Sequence, residues 1–175
     1  FRNFKKTLEG YVISLVPMID VETSDGRPVK ELQDSLNVFI KLIKDEYGCA
    51  PMIYGTQRSY NTYCAPAYNN YHLYIGRYGP NAPVIKGPGT YSIWQYTENA
   101  IVKGISKPVD MCRFNPKYTL LDIKRTISGI DLSHHNHVED WGKVAADFVY
   151  LKATEGATWT DPKFKTFLEG AKKEK

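Results

Sequence analysis

Residues 15–55 begin with LVPMIDVE and end with PMIYG, and an amphipathic stretch separates these two segments. Both flanking segments are short, rich in β-forming residues and bounded by turn-forming residues, as buried strands are. Between them, apolar residues recur at steps of three and four positions, which is the spacing of one helix face: Val29, Leu32, Leu36, Phe39, Ile40 and Ile43. A helix between two buried strands predicts a βαβ unit and therefore a parallel sheet.

The rest of the chain continues this alternation. Further short β-rich segments, each bounded by Gly, Pro, Asn or Asp, occur at 71–78, 91–97, 108–114, 129–133 and 147–154. Residues 3–9 and 161–173 have helical patterns as well. Strands that alternate with helices predict an α/β protein.

Composition excludes several classes of protein. The 175 residues are 42% hydrophobic and 13% aromatic, which suits one folded domain and excludes disorder. The net charge of +4 is too small to indicate nucleic-acid binding, and no apolar run is long enough to insert into a membrane. The cysteines at 49, 64 and 112 fit no metal-binding spacing and allow at most one intrachain disulfide.

Acidic residues interrupt three of the apolar strands. Asp20 and Glu22 alternate with apolar residues, so both carboxylates point to one face, roughly 6.6 Å apart along the strand. Such a pair is costly unless it faces water or a functional cavity, and a strand end with solvated acids is the alternative. Asp110 and Asp131 repeat the pattern in two further strands. Barrel enzymes keep their chemistry at the carboxyl ends of their strands, which favours a functional interpretation.

Six segments together resemble the family-25 glycoside hydrolases, which are lysozymes of the N-acetylmuramidase type. They are PMIDVE, PMIYG, YSIWQYT, PVDMCRF, GIDLSHHN and DFVYLKATEGATWTDPKF. The resemblance implies a compact TIM-like (β/α) barrel that forms a single catalytic domain over residues 1–175.

The order of these segments differs from that of the family. Residues 1–116 resemble the middle and end of the family domain, and residues 127–175 resemble its beginning, which implies a circular permutation. About 20 to 25 residues of the family pattern, including one strand, have no counterpart here on the lengths expected for barrel units. In a permuted closed barrel, the strands containing Asp131 and Asp110 would be neighbours. All four acids would then meet at one mouth of the barrel.

The resemblance also implies an activity, which is hydrolysis of the β-1,4 bond between N-acetylmuramic acid and N-acetylglucosamine in peptidoglycan. Glu22 matches the general acid of the family. Asp20 would orient the N-acetyl group of the substrate, which then attacks the anomeric carbon with retention of configuration. The competing scheme, in which a carboxylate activates water with inversion, stays open. Asp110 and Asp131 would shape the charge field or bind substrate.

Aromatic and amide residues match the substrate groove of the family. The resemblance places Tyr54, Trp94, Gln95 and Tyr96 on strands that open into this groove, although Trp94 could equally pack in the core. Glu155 matches another family acid, which is either a groove residue or a loop acid near Lys152.

The histidines at 134, 135 and 137 do not predict a metal site. Adjacent side chains of a strand point to opposite faces, so the first two would chelate poorly. The implied reaction needs no cofactor.

A second hypothesis is a non-hydrolytic module that binds cell-wall glycan. Under either hypothesis the partner is bacterial peptidoglycan rather than nucleic acid or a membrane, and the protein is expected to be a monomer. The resemblance implies an extracellular or cell-wall-directed location, although no signal peptide is visible at Phe1.

Overall fold

The computed structural model of the protein describes residues 1–173, which divide into two units. The first unit comprises Phe1 and Leu15–Arg125, and the second comprises Arg2–Ser14 and the chain from Thr126 onward. Both contain strands and helices, so the mixed α/β class is confirmed. The single catalytic domain over residues 1–175 stays a prediction. No helix within the described residues has the length and apolarity needed to cross a bilayer.

A five-stranded sheet lies at the centre of the first unit. Its strands, in spatial order, are β1 (Met18–Asp20), β2 (Met52–Thr56), β3 (Leu73–Gly76), β4 (Ile93–Ala100) and β5 (Val109–Phe114). The strands β1 to β4 are parallel, as the alternation of strands and helices predicts, and each matches a predicted segment.

The last strand of this sheet departs from the barrel pattern. β5 runs antiparallel to β4, because residues 101–108 between them are too few for the crossover that a parallel pair requires. β1 and β5 are the two edges of the sheet, and no closed sheet occurs within residues 1–173. The open sheet does not itself show the closed TIM-like barrel, which stays a prediction.

The helices within residues 1–173 are α1 (Arg2–Leu8), α2 (Val29–Tyr47), α3 (Gln57–Tyr63) and α4 (Phe164–Lys173). α2 confirms the predicted helix and buries Leu36, Ile40 and Ile43. Gly48 ends it in the left-handed conformation, with a φ of 67°, and its N–H donates to the Lys44 carbonyl oxygen at 3.0 Å. Glycine reaches this conformation without the steric cost that other residues carry.

The two faces of the five-stranded sheet have different roles. One face packs on the two helices of the first unit in a core that includes Val21, Leu36, Ile40, Ile53, Tyr60, Leu73 and Ile75. A smaller cluster consists of Met52 and Ile93 of the sheet and Ile123, which follows it in the chain. Tyr74 packs against this cluster. Side chains alternate along a strand, so Tyr54 and Tyr74 lie on the opposite side from Ile53 and Ile75.

The sequence pattern missed α3, because its residues QRSYNTY lack an apolar period. Thr56 caps this helix, since its hydroxyl accepts a hydrogen bond from the Ser59 N–H at 3.1 Å. Side chains of α3 then secure the loop 77–92, which replaces a helix between β3 and β4. The Asn61 amide donates to the Val84 carbonyl oxygen at 2.8 Å, and Gln57 accepts from the Val84 N–H at the same distance.

The second unit contains two smaller sheets. β6 (Gly129–Leu132) and β7 (Phe148–Leu151) are parallel, whereas β8 (Thr154–Glu155) and β9 (Trp159–Thr160) are antiparallel. The predicted neighbouring of the strands that contain Asp131 and Asp110 stays a prediction. The permuted order itself stays a prediction.

Asp161 joins two segments of the second unit. This residue is only 3% exposed, and its carboxylate accepts hydrogen bonds from the His134 N–H at 2.8 Å and the Lys163 N–H at 2.9 Å. Burial alone would raise the pKa of Asp161. The backbone hydrogen bonds from His134 and Lys163, together with the interaction of the His134 side chain, outweigh the effect of burial. The pKa of Asp161 is therefore lowered. The ionised form therefore stabilises the folded state.

We predict that this carboxylate makes the second unit sensitive to acid. Because the folded-state pKa of Asp161 lies below its unfolded value near 3.8, its stabilisation is complete above that pH and is lost as the pH falls below it. Asp161→Asn should lower stability at pH 7 and flatten the loss between neutral and acidic pH. Circular dichroism during urea unfolding at pH 3 to 7 measures this, with the exposed Glu139→Gln as the control. An Asp161→Asn variant that keeps the full acid dependence of the parent would contradict the prediction.

Candidate functional site

The strand β1 ends in the acid pair that the sequence analysis singled out. Asp20 lies opposite Tyr54 in the parallel register, and the next N–H, that of Val21, donates to the Tyr54 carbonyl oxygen at 2.9 Å. Val21 is 6% exposed, whereas Asp20 and Glu22 are both exposed. The backbone therefore anchors the residue between the acids and leaves the two carboxylates in contact with water. Partial burial raises the pKa of Asp20.

Tyr54 shows which acids lie close together. Burial, followed by the charge of Glu22 and smaller contributions that include Asp20 and Asp110, raises the pKa of its hydroxyl to about 12. Coulombic interactions fall off with distance and are screened by water, so the charges of all three carboxylates reach this hydroxyl. We call Asp20, Glu22 and Asp110 the acid cluster. The predicted convergence of all four acids at one mouth of a barrel stays a prediction.

Asp110 reaches the acid cluster from β5 at the edge of the sheet. Its side chain is exposed. Because β5 is antiparallel, its first residues lie beside the last residues of β4. They are therefore at the same end of the sheet as the carboxyl end of β1. The antiparallel strand therefore still delivers its acid to the carboxyl ends of the parallel strands.

Tyr54 is also joined to Gln95. The tyrosine hydroxyl donates to the Gln95 Oε1 atom at 2.9 Å, and Gln95 is only 5% exposed. Gly76 lies directly beneath this pair, and a Cβ atom there would come within 3.0 Å of Oε1 and 3.5 Å of the Tyr54 hydroxyl oxygen. The absence of a side chain at Gly76 therefore makes room for the hydrogen bond. The sequence analysis missed Gly76, although a glycine inside a β-rich segment is a known signal of close approach.

The structure separates Gln95 from its two aromatic neighbours. Trp94 is 2% exposed and donates from Nε1 to the Arg77 carbonyl oxygen at 2.6 Å. The Arg113 guanidinium carbon lies 4.2 Å from the Trp94 ring centroid and 5.3 Å from that of Tyr96. Adjacent side chains of a strand point to opposite faces, so Gln95 faces away from Trp94 and Tyr96. The substrate-binding roles of these residues stay predictions. Trp94 packs in the core, which was the alternative for this residue.

Two predicted site residues, Asp131 and Glu155, lie in the second unit. Asp131 is exposed on β6, opposite Tyr150 of β7. Glu155 forms an ion pair with Lys152 at 2.6 Å, and this hydrogen bond and charge lower the pKa of its carboxyl. Their roles stay predictions.

The histidines that follow β6 are arranged differently from the prediction. β6 ends at Leu132, so His134 and His135 lie beyond the strand and do not alternate. Their ring centroids are 3.7 Å apart, and the His134 ring also contacts Trp159 at 4.9 Å. Within residues 1–173, no three His, Cys, Asp or Glu side chains are grouped to hold a metal ion.

Tyr78 is a further residue that the sequence analysis missed. It belongs to the predicted strand 71–78, yet it lies just beyond β3 and is 48% exposed. Burial, then the charges of Glu98 and Asp110, and more weakly Glu22, raise the pKa of its hydroxyl. Only the fold reveals this proximity, because these residues come from separate segments.

The acid cluster can act in proton transfer. Exposed carboxylates of unequal environment, held at one edge of a sheet, can donate a proton and stabilise a nearby positive charge. The Tyr54–Gln95 pair adds an oriented amide beside them. Such a site suits polar substrates that need acid catalysis.

Comparison with known families agrees with this chemistry. The model of the family described as glycosyl hydrolases family 25 matches residues 2–105, which is more than half of the chain. The matched region contains Asp20, Glu22, Tyr54 and Gln95. Asp110 and the second-unit acids lie outside it.

Curated relatives are longer than this chain. An uncharacterized protein of Escherichia coli K12, YegX, is 27% identical over 129 residues, which cover 74% of this chain and 46% of YegX. The YegX protein of Escherichia coli O157:H7 is 27% identical over 114 residues, which cover 65% and 42%. The chain thus spans less than half the length of these relatives.

Solved structures resemble the fold. A family 25 glycosyl hydrolase from Bacillus anthracis has a TM-score of 0.51 at 27% identity, covering 59% of this chain and 52% of that one. The spore cortex lytic enzyme SleM from Clostridium perfringens has a TM-score of 0.56 at 20% identity, covering 73% and 46%. The CTP1L endolysin has a TM-score of 0.51 at 18% identity, covering 88% and 56%.

We predict that the close contact at Gly76 can be measured as a coupling energy. Gly76→Ala should displace Gln95 from Tyr54 and destabilise the fold by about 1 kcal/mol, the usual net value of a hydrogen bond. Urea denaturation measures this free energy of unfolding.

The matched control for this prediction is the same change in a Gln95→Ala background. The clashing oxygen is then absent, so Gly76→Ala should cost much less and the two substitutions should be non-additive. Fully additive effects would show that the Cβ atom does not act through Gln95.

Proposed function

This chain belongs to glycosyl hydrolase family 25, and we propose on that premise that it hydrolyses the glycan of bacterial peptidoglycan as a muramidase. The bond cleaved is the β-1,4 linkage between N-acetylmuramic acid and N-acetylglucosamine. The observation that carries this proposal is the acid pair Asp20 and Glu22 at the end of β1, where Asp20 lies opposite Tyr54 and the intervening Val21 N–H donates to the Tyr54 carbonyl oxygen. Family membership supports the reaction class, and the acid cluster supplies groups that can perform it.

Glu22 is proposed as the general acid. It follows the anchored Val21 at the end of β1 and is exposed, so a glycosidic oxygen can reach its carboxyl. Its proton passes to that oxygen as the bond to the anomeric carbon breaks, and the leaving sugar departs as an alcohol.

Asp20 is proposed to assist the N-acetyl group of the substrate. The carbonyl oxygen of that group attacks the anomeric carbon as the leaving sugar departs, and the cyclic intermediate carries a positive charge. An ionised Asp20 on the same face as Glu22 stabilises this charge and orients the group. Water then opens the ring, with Glu22 accepting its proton, and the original configuration is restored.

The remaining site residues are proposed to bind and orient the glycan. The hydrogen bond between Tyr54 and Gln95 fixes the amide of Gln95 beside the acids. Asp110 adds negative charge that favours the positive intermediate. Asp131 and Glu155 of the second unit are proposed as a further acid and a groove residue.

The finer fold and the setting of the protein are also proposals. The parallel order of β1 to β4 supports a TIM-like (β/α) barrel in permuted order. A peptidoglycan substrate supports an extracellular or cell-wall-directed location. We propose that the protein works as a monomer, with water as the second substrate.

Glu22→Gln should reduce hydrolysis of a bacterial wall suspension by about 10²- to 10⁴-fold, because it removes the proton donor and keeps the shape. Loss of turbidity measures the rate. Glu31→Gln, on the exposed surface of α2, is the charge-matched control and should retain the parent rate. A Glu22→Gln variant of near-parent activity would remove Glu22 from this role. A parent protein that sediments with walls but never clears them would instead be a glycan-binding module.

The stereochemistry of the product tests the role of Asp20. If the N-acetyl group is the nucleophile, NMR of fresh product should show the β anomer first, before mutarotation. Asp20→Asn should slow the reaction strongly, because an amide cannot offset the positive charge of the intermediate. An α anomer that forms first would reject the substrate-assisted scheme in favour of direct attack by water.

A further inference from the structure

Two backbone hydrogen bonds fix the position of Tyr78, which the proposed mechanism does not use. The Arg77 N–H donates to the Gln95 carbonyl oxygen at 3.0 Å. The Gly79 N–H donates to the Tyr96 carbonyl oxygen, also at 3.0 Å. The chain therefore continues to pair with β4 beyond the end of β3. Because these bonds bracket Tyr78, its side chain starts from a defined position.

The side chain of Tyr78 lies on the side of the acid cluster. In an extended chain, residues two apart share a face, so Tyr78 follows Gly76 to the side of Tyr54 and Gln95. The charges of Glu98 and Asp110, and more weakly Glu22, act on its hydroxyl. These interactions agree with the placement given by the backbone.

Core packing does not account for this tyrosine. Its side chain is 48% exposed, whereas Tyr60 in the main core is fully buried. Tyr54 is half-buried and its hydroxyl is bonded to Gln95, whereas Tyr78 is exposed, so Tyr78 presents the more accessible ring of the two. An exposed flat ring with a hydroxyl group at one end suits a ligand that has both apolar and hydroxyl-bearing surfaces. A pyranose ring is such a ligand.

We propose that Tyr78 is a substrate-binding residue whose ring stacks on a sugar unit of the glycan beside Glu22. This inference rests on the proposed function and adds a specific contact to it. Binding then depends on the flat ring more than on the hydroxyl. The backbone hydrogen bonds on either side of Tyr78 hold its main chain in place before the glycan arrives, which reduces the ordering cost of binding.

The test measures glycan binding without turnover. Isothermal titration of a purified N-acetylglucosamine–N-acetylmuramic acid tetrasaccharide into the Glu22→Gln chain gives the reference Kd. Tyr78→Ala and Tyr78→Leu, each added to that chain, should weaken binding about 3- to 10-fold, as expected for loss of one stacked ring. Tyr78→Phe should change Kd by less than about 2-fold, because it keeps the ring. Tyr11→Ala, at a tyrosine that is 75% exposed in the second unit, is the control and should bind like the reference.

Kinetics on walls give a second measurement. In the chain that retains Glu22, Tyr78→Ala should raise KM with a smaller effect on kcat, which separates binding from chemistry. Thermal unfolding of each variant confirms that the fold is retained.

The outcomes separate this inference from the proposed function. An unchanged Kd for both Tyr78→Ala and Tyr78→Leu overturns the inference, and so does a Tyr78→Phe variant as weak as Tyr78→Ala. If the parent hydrolyses walls and only Tyr78 proves irrelevant, the inference fails alone. If the parent neither binds the tetrasaccharide nor clears walls, the proposed function fails and this inference fails with it.

Discussion

The hydrogen bond from the Val21 N–H to the Tyr54 carbonyl oxygen is the contact on which the site depends. It extends the pairing of β1 with β2 by one residue, at the point where Asp20 and Glu22 leave the sheet. A Cβ atom on Gly55 would lie only 2.8 Å from the Val21 carbonyl oxygen, so the two strands meet there without an intervening side chain. Both acids are exposed, yet the residue between them belongs to the main core. The hydrogen-bonded backbone at Val21 therefore fixes the positions of the two carboxylates on either side of it.

Alternation of side chains then distributes the remaining groups. Residues on one side of the sheet pack with α2 and α3 and form the larger core. Residues on the other side include Tyr54 and Gln95, whose hydrogen bond crosses the strand between them. Polar side chains at the carboxyl ends of parallel strands are typical of α/β enzymes. One sheet thus carries the larger core on one face and the Tyr54–Gln95 pair on the other.

Sequence patterns predicted those parts of the fold that depend on local periodicity. The helix α2 falls on a predicted apolar period, and the strands β1 to β7 fall on short β-rich segments bounded by turn residues. The helix α3 was not predicted, because its residues are mostly polar and show no apolar period. The acid pair could be found because two carboxylates in an apolar strand are costly. Tyr78 and Gly76 could not be assigned, because their roles depend on neighbours from other strands. The antiparallel direction of β5 follows from the short loop 101–108 before it. The prediction of a parallel barrel sheet did not take the length of this loop into account.

The antiparallel β4–β5 pair also bears on how the chain folds. Its strands are separated only by residues 101–108, whereas each parallel neighbour is reached through a longer excursion of the chain. Contacts between residues close in sequence form faster, because less loop entropy is lost before they meet. We expect this hairpin to form before the parallel ladders, with Asp110 and Gln95 already on adjoining strands. The edge that departs from barrel symmetry would then be the template onto which β3, β2 and finally β1 assemble.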